Sequence, residues 1–193
     1  GITGLSTREE DFVETLFVTS THNFILFFTN LGRVFRIKAY QIPEAGRHAK
    51  GTAIVNLLQL DPGESVTAVI PIEEYKEGLY LILVTKNGTI KKTDLMEYDN
   101  IRKGGLIAVN LKENDELIDV KLTDGTKDIL IVTQNGLSIR FNESDVRPMG
   151  RVSQGVRGIK LEEGDSVVGM SSFIEDTTML VVTENGFGKR TEL

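Results

Sequence analysis

No cysteine occurs among the 193 residues, and tryptophan is absent as well. Without thiols the chain has neither disulfides nor thiolate metal sites, and a reducing cytoplasm is the expected setting. Histidine is scarce: His22 and His48 stand in unrelated contexts, with no paired ligand spacing around either. Long hydrophobic runs are missing too. The longest apolar stretches, Phe24 to Phe28 and Leu79 to Val84, fall far short of the ~20 residues that a membrane-spanning helix needs. The opening Gly1-Ile2-Thr3-Gly4 leads straight into Arg8-Glu9-Glu10-Asp11, so no secretory signal is expected. Catalytic signatures are lacking as well: there is no G-x-S-x-G elbow, no P-loop and no H-E-x-x-H. Gly186-Phe187-Gly188 begins like a dinucleotide fingerprint, but the third glycine is missing. The chain is therefore expected to hold no active site, no cofactor and no metal of its own.

What is present is a repeat. Four times an apolar run breaks at a threonine, turns at a glycine, and meets Lys or Arg four residues later. The copies are Thr29-Asn30-Leu31-Gly32 to Arg36, Thr85-Lys86-Asn87-Gly88 to Lys92, Thr133-Gln134-Asn135-Gly136 to Arg140, and Thr183-Glu184-Asn185-Gly186 to Arg190. Self-similarity at about 50 residues signals stacked supersecondary units. Asn-Gly in three copies predicts type I′ hairpin turns, with positive φ at both central positions. The runs before the turns, Phe24 to Phe28, Leu79 to Val84, Ile129 to Val132 and Met179 to Val182, read as strands buried on both faces. After the turns the pattern loosens to alternation, as in Val34-Phe35-Arg36-Ile37-Lys38, which predicts outer strands with one wet face.

A second signature lies between the turns. Leu60-Asp61-Pro62-Gly63-Glu64, Leu111-Lys112-Glu113-Asn114-Asp115 and Leu161-Glu162-Glu163-Gly164-Asp165 are acidic turns, each followed by a short apolar strand. Two turns and about four short strands per unit are the content of a propeller blade. The expected fold is all-β: about four blades in one domain over 1–193, with 1–11 as a lead-in and glycine turns at 32, 88, 136 and 186. The fourth unit lacks its acidic half before Leu193, as in a piece of a longer array. Ser6-Thr7-Arg8-Glu9 is the one helical hint, a weak capping box.

Charge follows the repeat. The net charge is -6, yet its sign alternates along the chain: 30–50 is basic, 51–85 acidic, 86–103 basic, 104–137 acidic, 138–160 basic and 161–185 acidic. Folding such units side by side gathers the basic segments on one surface despite the acidic total. The candidate residues are Arg33, Arg36 and Lys38 in the first unit, Lys91 and Lys92 in the second, Arg140 in the third, and Lys189 and Arg190 in the fourth. Connecting segments add Arg47, His48 and Lys50, then Arg102 and Lys103, then Arg147, Arg151 and Arg157. A curved belt of such cations suits duplex DNA, held by counterion release and bent without base reading. Few aromatics lie among them, which disfavours stacking on single strands. Two other readings stand beside this one: a solvated surface carrying Lys and Arg for solubility, and a propeller-like platform for a protein partner.

Several long motifs resemble the C-terminal domain family of the DNA gyrase A subunit. They are Arg33-Val34-Phe35-Arg36-Ile37-Lys38-Ala39-Tyr40-Gln41-Ile42-Pro43-Glu44-Ala45, Gly51 to Leu58, Asn87-Gly88-Thr89-Ile90-Lys91-Lys92-Thr93, Val146-Arg147-Pro148-Met149-Gly150, Gly155-Val156-Arg157-Gly158-Ile159 and Asn185-Gly186-Phe187-Gly188-Lys189-Arg190-Thr191. The related domain of the topoisomerase IV A subunit shares the fold and is the alternative. The resemblance implies a β-pinwheel, a propeller-like disc, six-bladed when whole, whose outer strands are exchanged between neighbours. It implies duplex DNA wrapped on a basic perimeter, in support of ATP-dependent negative supercoiling by a type II topoisomerase. The implied partners are the N-terminal part of the gyrase A subunit, together with the gyrase B subunit, in the cytoplasm with no membrane contact. The isolated piece is expected to be monomeric. ATP and magnesium would act in other domains, as would the DNA-cleaving tyrosine, since Tyr40, Tyr75, Tyr80 and Tyr98 lie in no matching context. The family's short Arg/Gly-rich box is expected just upstream of Gly1.

Overall fold

The computed structural model describes residues 23–41 and 56–174, together with the backbone of 179–182 and 188–191. Thirteen strands occur among the described residues: β1 (Phe24–Thr29), β2 (Arg33–Lys38), β3 (Val66–Ile72), β4 (Tyr80–Thr85), β5 (Thr89–Asp94), β6 (Leu106–Ile107), β7 (Leu117–Thr123), β8 (Asp128–Thr133), β9 (Ser138–Asn142), β10 (Val156–Arg157), β11 (Val167–Phe173), β12 (Met179–Val182) and β13 (Gly188–Thr191). Short 3-10 turns follow β2, β5 and β9. The weak helical hint at Ser6 lies outside the described residues.

The sheets are ordered β3-β1-β2-β6, β10-β5-β4-β7, β11-β8-β9 and β12-β13. Sequence order and sheet order part company at the short strands. β6 comes after the second unit's hairpin yet pairs with β2 of the first, through Arg33↔Ile107 and Val34↔Leu106. In the same way β10 leaves the third unit to pair with β5 of the second. Each exchanged strand clips one blade to the next. At the opposite sheet edges, β3, β7 and β11 pack against one another in succession, so they lie at the hub and the exchanged strands lie at the perimeter.

Burial on both faces follows from blade stacking. In β4, Leu81 and Leu83 enter a core shared with Leu26, Phe28 and Ala68 of the first blade. Ile82 and Val84 turn the other way, onto Ile129 and Ile131 of the third. A strand sandwiched between two blades has no wet side, hence the near-continuous apolar runs.

The recurring turn differs from the type I′ expected. It is a three-residue loop in which Gly32, Gly88 and Gly136 N–H donate to the carbonyls of Thr29, Thr85 and Thr133 at 3.0, 3.0 and 3.1 Å. Positive φ is confined to the glycine, 79°, 92° and 87° in turn; among the described residues Asn114 alone, outside these loops, has it without being glycine. This is the geometry of a type I turn followed by a left-handed residue. Threonine recurs because its Oγ accepts the N–H four residues on: from Arg33 at 3.3 Å, Thr89 at 3.1 Å and Leu137 at 3.1 Å. The glycine is also where the neighbouring blade's chain passes. Gly88 O accepts from Gly158 N and Ile159 N, and a Cβ on Gly88 would stand 2.7 Å from Ile159 O. Gly88→Ala is thus expected to cost about 1–3 kcal/mol, from left-handed strain and a backbone clash together, read by urea unfolding.

Candidate nucleic-acid interface

The four repeated cations do share one register position. Arg36 pairs with Leu26, Lys92 with Ile82, Arg140 with Leu130 and Arg190 with Leu180. In the first two copies, however, that position faces the following blade rather than solvent, because Leu26 and Ile82 point there. Arg36 lies 5.1 Å from the Phe24 ring centre and 5.6 Å from that of Tyr75. Its guanidinium donates to Asp99 O at 3.0 Å and Ile101 O at 3.4 Å, just past the second unit's 3-10 turn. Lys92 makes the same move one blade on. It sits 4.5 Å over Tyr80, donates to Glu143 O at 3.2 Å and pairs with Glu143 Oε1 at 3.4 Å. Arg140 rests over Phe173 and pairs with Asp128 of its own blade. In the first two units the station is a staple between blades, whereas Arg140 is held within its own sheet.

The expected outer strand over Thr89–Asp94 is instead interior. Lys91 is 1% exposed and Lys92 5% exposed. Neither ammonium can meet a phosphate without unfolding its surroundings. Arg33 is committed too, between Asp61 at 3.5 Å and Glu64 at 3.1 Å, with its guanidinium 4.7 Å above Phe35. Lys38 is half-buried, with its ammonium 5.9 Å from Tyr40. Arg47, His48 and Lys50 lie outside the described residues. Lys189 and Arg190 are placed by backbone register on β13, opposite Val181 and Leu180.

The sequence-predicted cations that are exposed among the described residues lie on the connecting segments. Arg102 and Lys103 precede β6, Arg147 precedes β10, and Arg157 lies within it; all four are exposed. They follow the exchanged strands and therefore the perimeter. Arg151, half-buried, donates from its guanidinium to Ile107 O at 2.6 Å, joining one perimeter segment to the next. Between β2 and the segment before β6 a cleft brings Arg36, Lys38, Arg102 and Lys103 together over Ile37 and Leu58. Lys160, also exposed, extends the same stretch as Arg157. It repeats at no turn, so only its place in the basic 138–160 block signalled it.

The acidic segments sort to the other edge. They lead into the hub strands, and their carboxylates fold back onto the glycine turns. Asp115 accepts from Asn87 N and Asp165 from Asn135 N, each at 3.0 Å. Glu64 is buried and accepts from the Thr29 hydroxyl at 2.7 Å and Asp61 N at 2.9 Å. These turns are structural clasps rather than merely solvated hairpins. The acidic turns thus lead into the hub strands, while Arg102, Lys103, Arg147 and Arg157 lie along the exchanged strands.

An array of blades joined by exchanged strands is a propeller-like class of all-β protein, and comparison specifies the family. The family model described as DNA gyrase C-terminal domain, beta-propeller, matches residues 23–73, 79–124, 127–173 and 177–193. The DNA gyrase A subunit of Clostridium acetobutylicum is 61% identical over 158 residues, 82% of this chain and 19% of the relative. That of Staphylococcus epidermidis is 49% identical over 195 residues, covering 99% and 22%. Among solved structures, a C-terminal domain of DNA topoisomerase IV aligns at TM-score 0.79 and 34% identity, over 90% of this chain and 54% of its own. A DNA gyrase A C-terminal domain aligns at 0.71 and 29%, over 90% and 55%. The chain belongs to the C-terminal domain family of DNA gyrase A, the A subunit of a type II topoisomerase. It spans about a fifth of the curated relatives it matches.

Proposed function

We propose that this chain binds duplex DNA along its perimeter, without reading sequence, and holds it bent as the wrapping element of a gyrase. The observation that carries this reading is the exposure of Arg102, Lys103, Arg147 and Arg157 along the exchanged strands while the acidic turns clasp inward. Among the described residues there is no α-helix to enter a major groove, only 3-10 turns, which suits backbone contact. Bending 20–30 base pairs costs about 1–6 kcal/mol, so several phosphate contacts must share the work. The chain's role is positional: it needs no cofactor, and ATP, magnesium and DNA cleavage belong to other parts of the gyrase A subunit or to its B counterpart. With them it supports negative supercoiling in the cytoplasm. Titration of a short duplex at two salt concentrations tests the reading. Binding of micromolar or better affinity that weakens steeply with salt is expected; no binding at low salt would favour a protein-interaction platform instead.

A further inference from the structure

Lys91 does something that the perimeter reading does not use. It occupies the β5 position that Phe35 holds in β2, since Leu83 pairs with Lys91 as Phe27 does with Phe35. Where the first blade has a ring, the second has a buried ammonium. Its Nζ donates to Ala108 O at 2.5 Å, to Gly150 O at 3.4 Å and to the carbonyl of Arg151. No carboxylate forms an ion pair with it among the described residues. Ala108 immediately follows β6, the outer strand of the first blade. Gly150 and Arg151 lie on the segment that leads to β10, the outer strand of the second. One ammonium thus spans two successive perimeter segments.

Beside Lys91, three contacts tie those segments and their surroundings: the Arg151 guanidinium donates to Ile107 O at 2.6 Å at the surface, and two backbone N–H groups add to it. Arg151 N–H donates to Glu97 Oε1 at 3.1 Å, and Asn110 N–H donates to Ser153 O at 3.3 Å. Ala108 O keeps a second donor in the Tyr98 hydroxyl at 3.1 Å, and Gly150 O keeps Ser153 N–H at 3.1 Å. For the Arg151 carbonyl, Lys91 is the described partner.

We infer that Lys91 is a positioning residue for DNA, fixing the spacing between the perimeter cations of adjacent blades through the carbonyls it holds. This rests on the perimeter reading above. The ammonium touches no phosphate; it sets where Arg102 and Lys103 stand relative to Arg147 and Arg157.

Burial lowers the Lys91 pKa to about 8, with Glu97 opposing the shift and Arg151 adding to it. Those two, with the Tyr98 hydroxyl, are the titratable groups facing it. When the segment at 149–153 opens, Lys91 regains the ordinary lysine pKa. The closed form then binds fewer protons than the open form, so closure gains as pH rises from about 8 toward the free-lysine range.

The test uses the full-length protein that carries this chain. Hydrogen exchange at 149–153, corrected for intrinsic rates, is expected to show opening about tenfold rarer at pH 9 than at pH 7. Lys91→Met should make that segment exchange about tenfold faster at pH 7 and abolish the pH dependence. Lys91→Phe, which borrows the first blade's residue, serves if the methionine variant does not fold. Either variant should reduce the bend of a 30-base-pair duplex, read by energy transfer between its ends, while leaving the salt slope of binding intact. Unchanged exchange and unchanged bending in both variants would overturn the inference. Retained affinity after charge reversal of the four perimeter cations would instead overturn the perimeter reading, and the exchange result stands apart from it.

Discussion

Replacing Arg102, Lys103, Arg147 and Arg157 together by glutamate is expected to abolish measurable duplex binding at physiological salt and leave the fold intact. All four side chains are exposed, and none forms an ion pair among the described residues, so the protein loses no internal ion pair. Each phosphate contact contributes about 0.9 to the slope of log affinity against log salt, so neutralising four should flatten it by roughly 3.6. Reversal goes further than neutralisation, because carboxylates then repel the phosphates that the cations held. The measurement is a salt series by fluorescence anisotropy, with circular dichroism as the control for folding. A slope within one unit of the parent's would remove these residues from the interface.

Lys92→Ala should produce the opposite pattern: an unstable protein rather than a weakly binding one. Glu143 is fully buried and receives Lys127 N–H at 2.7 Å, the Thr123 hydroxyl at 2.8 Å and the Lys92 ammonium at 3.4 Å. Deleting the cation leaves a carboxylate in a dry seam between the second and third blades. Breaking such a pair costs about 3–5 kcal/mol. Urea denaturation gives the loss directly. Lys92→Met combined with Glu143→Gln should recover most of it, because no unpaired charge then remains. If the single alanine variant unfolds at the parent's urea midpoint, the pair is not a staple.

These two expectations separate residues that looked alike as sequence. Arg36, Lys92 and Arg140 were legible as a repeating station, and register confirms that they are equivalent. Which way the station faced was not legible. An alternating strand has two sides, and β2 and β5 have a neighbouring blade on the side where these residues project. The acidic turns were visible as turns, but their bond to the glycine turn joins residues far apart in the chain, as from Asp115 to Asn87. Strand exchange was implied by resemblance alone: β6 and β10 have two residues each, too short for any periodic signal. The glycine turn misled in type because Asn-Gly also fits a loop in which glycine alone needs positive φ.

The sequence by itself determined the repeat, the all-β blades, the buried strands and the alternation of charge, because each is local and is written in the order of residues along one strand or turn. Tertiary structure decided which cations meet solvent. A lysine on a strand is wet or dry according to what packs against it, and here the following blade covers Lys92 and the preceding blade's side covers Lys91, while the exchanged strands carry Arg102, Lys103, Arg147 and Arg157 outward.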